Sequence, residues 1–239
     1  MNIESNAAVE VVRFGLSASV LVTCEHASEQ LPAPWSFTAE DSWLGGTHWA
    51  HDLGAAELSR DLCLNLETVG VLARFSRLLV DPNRPADAPD LFRRNAEGRV
   101  VALNRGIDAA EADRRMVLWN AYHRALDAEV VRSPAAVLLA VHTFTPCYEG
   151  ASRDMEIGVL FDEEEALADR LRRALGDSGF RVAMNEPYSG KDGLMYSVDR
   201  HARRHGRRAL ELEMRQDLAV TTEARRRVVG AIVRVFDSD

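Results

Sequence analysis

The chain has 239 residues, enough for one large domain with a sizeable buried core, and carries 29 Lys+Arg against 37 Asp+Glu, a net charge of -8. That acidic balance disfavours general affinity for nucleic acid or anionic membranes and points to small-molecule partners. No apolar run approaches the roughly 20 residues needed to cross a bilayer, and no N-terminal stretch reads as a secretory signal, so a cytoplasmic protein is expected.

In chain order, strand-like apolar runs fall at Val20–Thr23, Val69–Arg74, Leu78–Val80, Ala136–Val141, Ile157–Phe161, Arg181–Ala183 and Ala209–Met214. Helical spacing of apolar residues runs from about His48 to Leu64, from about Glu111 to Val131, and over the last turns from about Thr222 to Phe236. A further helix is expected after Asp162, a candidate N-cap with Glu165 three residues on, and Leu167, Leu171 and Ala174 form its stripe. Strands alternating with helices predict a three-layer α/β/α sandwich with a mixed, largely parallel sheet. No linker or repeat divides the chain, so one domain over residues 1–239 is expected. The segment from Asp81 to Gly106 is too rich in Pro and Asp near its start for helix or central strand and predicts a long surface excursion.

Chemistry concentrates where predicted strands end. "VLVTCEHASEQLP" delivers Cys24, Glu25, His26 and Glu29 directly after the first apolar run, and "AAVLLAVHTFTP" stops another at His142. Two imidazoles presented by strand ends suit a metal centre. The three cysteines Cys24, Cys63 and Cys147 lack C-x-x-C spacing, so any metal must be held by histidine and carboxylate. "LELEMRQD" alternates Leu210, Leu212 and Met214 with Glu211, Glu213 and Arg215, which puts two carboxylates and a guanidinium on one strand face. Either this is a half-exposed edge strand with solvated charges, or it supplies a general base. Asn83 and Arg84 follow another apolar run and could grip a carboxylate. His123 shares a helical face with Trp119 and Leu126 and reads as packed; His205, among arginines, reads as a surface residue.

Six segments, "CEHAS", "HDLGA", "SRLLVDPNRP", "HTFTP", "NEPYSGKDG" and "LELEMRQD", stand in the order and at about the spacing of the N-formylglutamate amidohydrolase family, which the chain resembles from about residue 20 to 218. The resemblance implies a zinc-carboxypeptidase- and aspartoacylase-like fold and zinc-dependent hydrolysis of a small acidic N-acyl amino acid. By that similarity His26 and His142 look like metal ligands, Asn83 and Arg84 look like the carboxylate or oxyanion clamp, and Glu213 looks like the acid/base. Tyr188, Ser189, Gly190 and His201 fall in segments resembling the substrate loop, and Arg215 joins them as a candidate substrate contact. The third metal ligand is open between Glu29, three residues after His26, and Asp52 in "HDLGA", with Asp52 preferred. A related deacylase of other specificity, a non-catalytic binding protein on the same scaffold, a cysteine-nucleophile enzyme using Cys24 or Cys147, and a nucleic-acid binder using the arginines at 200–208 and 225–227 are the competing readings. The acidic total speaks against the last.

Overall fold

The computed structural model describes residues 8–15, 19–148 and 150–237, so the outermost ends of the expected domain lie outside the described residues. The strands in chain order are β1 Val9–Arg13, β2 Val20–Cys24, β3 Val69–Ala73, β4 Asn95–Ala96, β5 Arg99–Val100, β6 Val137–Phe144, β7 Cys147–Tyr148, β8 Ala151–Ser152, β9 Ile157–Leu160, β10 Val182–Met184 and β11 Arg208–Arg215. The α-helices are α1 Ala55–Asn65, α2 Ala109–Arg132, α3 Glu165–Asp177, α4 Tyr196–His205, α5 Gln216–Ala219 and α6 Thr222–Phe236. Seven strands form one mixed sheet in the order β1-β3-β2-β6-β11-β9-β10, while β4-β5 and β7-β8 are separate two-residue hairpins.

Side chains alternate across this sheet with the period of two that a strand imposes. Val137, Leu139 and Val141 of β6, with Leu210, Leu212 and Met214 of β11, pack under α1, α3 and α6 through Leu58, Leu171 and Ile232. Leu138 and Ala140 face the other way, toward Leu118, Tyr122 and Leu126 of α2 and Val198 and Ala202 of α4. The result is a three-layer sandwich, and the alternation carries His142, Glu211 and Glu213 to the α2/α4 side.

Topology decides where a site can form. From the end of β2 the chain crosses through α1 to β3, and from β3 through α2 back past β2 to β6, both parallel to β2. Connections leaving the carboxyl ends of β2 and β6 therefore diverge, and the crevice between those ends is the switch point where ligands bind in open α/β sheets.

Some local expectations are corrected. Leu78–Val80 is no strand: the segment is fully buried, yet its polar backbone is met by side chains, with Asn104 Nδ2 donating to the Leu78 carbonyl and Arg115 Nη1 to that of Leu79. Burial without a ladder explains why its apolar run misled. Helix α3 has Glu164 at its N-cap and no side-chain cap bond, whereas Asp162 pairs with Arg203. Helix α1 starts at Ala55 because Gly54 breaks the backbone at φ 82°, a left-handed conformation. A Cβ on Gly54 would also lie 2.6 Å from the backbone of Ala219. Among the elements not anticipated are edge strand β1, antiparallel to β3, and α4, whose buried Val198 and Ala202 are interspersed with arginines.

Candidate active site and metal centre

Beyond Cys24 the chain turns, and both residues that follow point inward: Glu25 is 0% exposed and His26 2%. His142 stands one strand away on β6, its ring 4.7 Å from that of His26. Asp52 reaches the same point from the loop before α1, held there by its backbone N–H donating to the His26 carbonyl at 2.9 Å and by Thr143 N–H donating to Oδ2 at 3.2 Å. Asp52 Oδ2 lies 3.5 Å from His26 Nδ1 and 2.9 Å from His142 Nδ1.

The far side of each imidazole is fixed by a carboxylate. His26 Nε2 lies 2.7 Å from Asp81 Oδ1, and His142 Nε2 lies 3.0 Å from Glu25 Oε2. Glu25 is held in turn by the Tyr122 hydroxyl, which donates to Oε1 at 2.7 Å, and Asp81 by the Asn83 N–H at 2.8 Å. Arg77 bridges Asp52 and Asp81 at 3.4 and 3.0 Å. Both Nδ1 atoms therefore converge on one carboxylate oxygen, while the Nε2 atoms are anchored, an arrangement that orients imidazoles for a metal.

Burial pushes the carboxyls of Asp52 and Asp81 up, but the opposing charges, His26 foremost, hold both well below the usual range. Burial pushes Glu25 up, but the hydrogen bond and charge of His142, the Tyr122 hydroxyl and the charge of His26 together bring it down to about 2. Glu211 and Glu213 behave oppositely. Burial lifts Glu211 to about 7 and Glu213 well above its ordinary value; the charge on His142 opposes this, while in Glu213 those on Glu211 and Asp52 add to it. Glu213 pairs in register with His142 across β11 and β6, and its Oε2 is buried without a hydrogen-bond partner. Five buried carboxyls thus crowd two imidazoles and Arg77, an excess of negative charge that a cation would balance.

The donor set fits such a cation. His26 Nδ1 is a buried nitrogen with no hydrogen-bond partner, and one ligand atom from each of His26, Asp52 and His142 lies within 4.8 Å of the others. Ligand atoms on a tetrahedral zinc ion stand about 3.3 Å apart, given bonds of about 2.0–2.1 Å, which the two distances from Asp52 Oδ2 straddle.

Above this group opens a cavity of about 200 Å³, lined by His26, Asp52, His142, Glu211 and Glu213 at its floor and by Asn83, Arg84, Arg93, Trp49, Tyr148 and Tyr188 higher up. Arg84 is steadied by Asp90 at 3.0 Å and by the Asn83 carbonyl, and its backbone carbonyl accepts from Trp119 Nε1 at 3.1 Å. Arg93 sits over the Trp49 ring at 5.3 Å. The Asn83 amide is occupied, accepting from Ser197 N–H at 3.0 Å and donating to the Leu194 carbonyl at 3.3 Å.

The structure thus brings together His26, Asp52, His142, Asn83, Arg84, Tyr188 and Glu213. It separates the others. Glu29 turns away, its carboxylate accepting from Gly46 N–H at 2.5 Å and standing 3.9 Å from His51 Nδ1, because three residues of extended loop after His26 carry it toward solvent. Ser189 does not line the cavity, and Gly190 is buried against Phe161 and Met195, where a Cβ would come within 2.5 Å. His201 is buried on α4 behind His123, and Arg215 is tied to Asp217 and the Arg153 carbonyl, outside the cavity. Sequence reading missed the roles of Glu25, Arg77, Asp81 and Arg93. Asp81 opens "DPNR" and Glu25 precedes His26, so both stood within recognised segments, whereas nothing in the local pattern marks Arg93. As for a cysteine nucleophile, Cys24 is fully buried and burial pushes its thiol to about 12, leaving no thiolate at neutral pH.

A profile of the N-formylglutamate amidohydrolase family matches residues 18–220. The chain belongs to that family. Among solved structures it resembles the gene product Atu2144 from Agrobacterium tumefaciens, 28% identical, with a TM-score of 0.87 over 98% of this chain and 95% of that one. The N-formylglutamate amidohydrolase from Ralstonia eutropha JMP134 shares the fold at 19% identity and TM-score 0.74, over 97% and 98% of the two chains. A more distant likeness, at 16% identity and TM-score 0.51 over 98% and 91%, is to YNDL in its zinc-free apo form. No curated protein matches the chain. The family and these neighbours make the protein a hydrolase of the amidohydrolase type on a zinc-carboxypeptidase-like fold, with a His/Asp group suited to a metal.

Proposed function

We propose that the protein hydrolyses the amide bond of a small acidic N-acyl amino acid, with N-formyl-L-glutamate the leading substrate, and that His26, Asp52 and His142 hold one zinc ion. The observation that carries this reading is the convergence of two carboxylate-backed Nδ1 atoms on Asp52 Oδ2, directly beside an unpartnered buried Glu213 oxygen. When bound, such an ion supplies Lewis acidity, lowering the pKa of water and polarising a carbonyl.

The chain's own groups divide the remaining work. Glu213 accepts the proton of the attacking water and returns it to the leaving nitrogen, a task that its place across from His142 and its unpartnered buried Oε2 suit. Arg84 and Arg93 stand on the cavity wall, where one guanidinium can bind a substrate carboxylate while the other binds a second carboxylate or the developing oxyanion. Asp81 and Glu25 keep the imidazoles oriented throughout. Tyr188 closes one side of the cavity, its ring facing the Arg153 guanidinium at 5.5 Å.

Formate release from N-formyl-L-glutamate, compared with N-formyl-L-leucine, tests the substrate class. A much higher kcat/KM for the acidic compound is expected. Equal rates on both would contradict an acidic substrate, and no turnover of either would remove the deformylase reading.

A further inference from the structure

A second group of metal-ligand type lies between α2 and α4, and its residues do not line the cavity. Asp127 of α2 and His201 and His205 of α4 each place one ligand atom within 4.8 Å of the other two. The two histidines are four residues apart on a helix, one turn on the same face, a spacing that lets both imidazoles reach one ion. His205 Nε2 is 2.8 Å and His201 Nδ1 3.5 Å from the same Asp127 Oδ1.

His201 supplies the observation that points to a ligand. Its residue is 1% exposed, yet Nδ1 makes no hydrogen bond and faces Asp127, while Nε2 lies 3.0 Å from His123 Nδ1. If Nε2 carries the proton and donates to His123, the Nδ1 lone pair is left directed at a carboxylate oxygen, an unfavourable contact that an interposed cation would relieve. Side chains of Asp127 and His205 are 27% and 20% exposed, leaving a route for an ion and for water to complete its coordination. Arg204, 3.5 Å from Asp127 Oδ1, is 60% exposed and can swing into solvent when a cation takes its place.

We infer that Asp127, His201 and His205 form a second divalent-metal site, independent of the catalytic one and suited to a borderline ion such as zinc through its two imidazoles and one carboxylate. It does not depend on the reaction proposed above. The test is zinc stoichiometry at buffered free zinc for the wild-type chain and for the Asp127→Asn/His205→Gln variant, whose substitutions fall on partly exposed side chains. The wild type is expected to bind one ion per chain more than the variant, whatever the cavity site binds. Equal stoichiometry in the two proteins would overturn the site. A second readout needs no variant: zinc should shift the imidazole nitrogen resonances of both His201 and His205 in the wild type, and unshifted resonances at saturating zinc would overturn it equally.

Discussion

Single side chains carry most of the chemistry here, and their surroundings set what each can do. Glu213 is buried, unpartnered at Oε2 and adjacent to His142, so Glu213→Gln should keep the fold and cost about 10²–10⁴ in kcat as the general base is lost. A near-normal kcat in that variant would move the role to Glu211, which faces the same imidazole at 3.7 Å. Removing Arg93 should raise KM for acidic substrates and lower kcat/KM about 10- to 100-fold, the effect of losing one charge-assisted bond worth about 1.5–3 kcal/mol. Neutral N-formyl amino acids should be little affected, and an equal loss on both classes would assign Arg93 a structural role. Asp52 and Glu29 can be separated by zinc titration in the Asp127→Asn/His205→Gln background. Asp52→Ala should lower affinity by far more than the about 10–100-fold typical of a group behind the ligands, while Glu29→Ala leaves it unchanged. The reverse ranking would restore the His26-x-x-Glu29 spacing as the guide.

At the scale of elements, the site depends on how three chain segments leave the sheet. Gly54 illustrates the dependence: it takes a left-handed φ and meets the Ala219 backbone two residues after Asp52. Gly54→Ala should therefore destabilise the fold by about 1–3 kcal/mol, read as a lower denaturation midpoint at unchanged slope. An unaltered midpoint would mean that the loop relaxes freely. The strands of the site were legible in the sequence because apolar runs lead up to His26 and His142, although β6 continues to Phe144 and so holds His142 within the strand rather than at its end; the alternation in "LELEM" fixed which face of β11 carries Glu211 and Glu213. Helix α4 was not legible, since its arginines mask a two-residue apolar stripe, and Leu78–Val80 misled because burial satisfied by Asn104 and Arg115 looks in sequence like burial satisfied by a ladder. Glu29 against Asp52 could not be decided from spacing, because a loop rather than a helix follows His26 and nothing fixes the direction of its third residue.

Across the whole molecule, an acidic chain of net charge -8 places Arg84 and Arg93 in the lining of the one cavity that also holds His26, Asp52 and His142, so the substrate class proposed above would meet two guanidinium groups there. Among the described residues no helix is long and apolar enough to cross a membrane. Thiol access tests the packing of the same regions: native protein should be alkylated at exposed Cys147, whereas the buried Cys24 and Cys63 should react only on unfolding. Rapid native labelling of Cys24 would show that the end of β2, and with it the floor of the site, opens in solution.

Hydrolysis at a metal centre of His26, Asp52 and His142, as proposed, is tested most directly by removing the metal and restoring it. Formate release from N-formyl-L-glutamate should be measured on one preparation of the Asp127→Asn/His205→Gln protein before chelation, after complete metal removal, and after one equivalent of zinc is restored. Activity should be lost with the metal and recovered at one zinc per chain. Full activity in protein verified free of metal would contradict it.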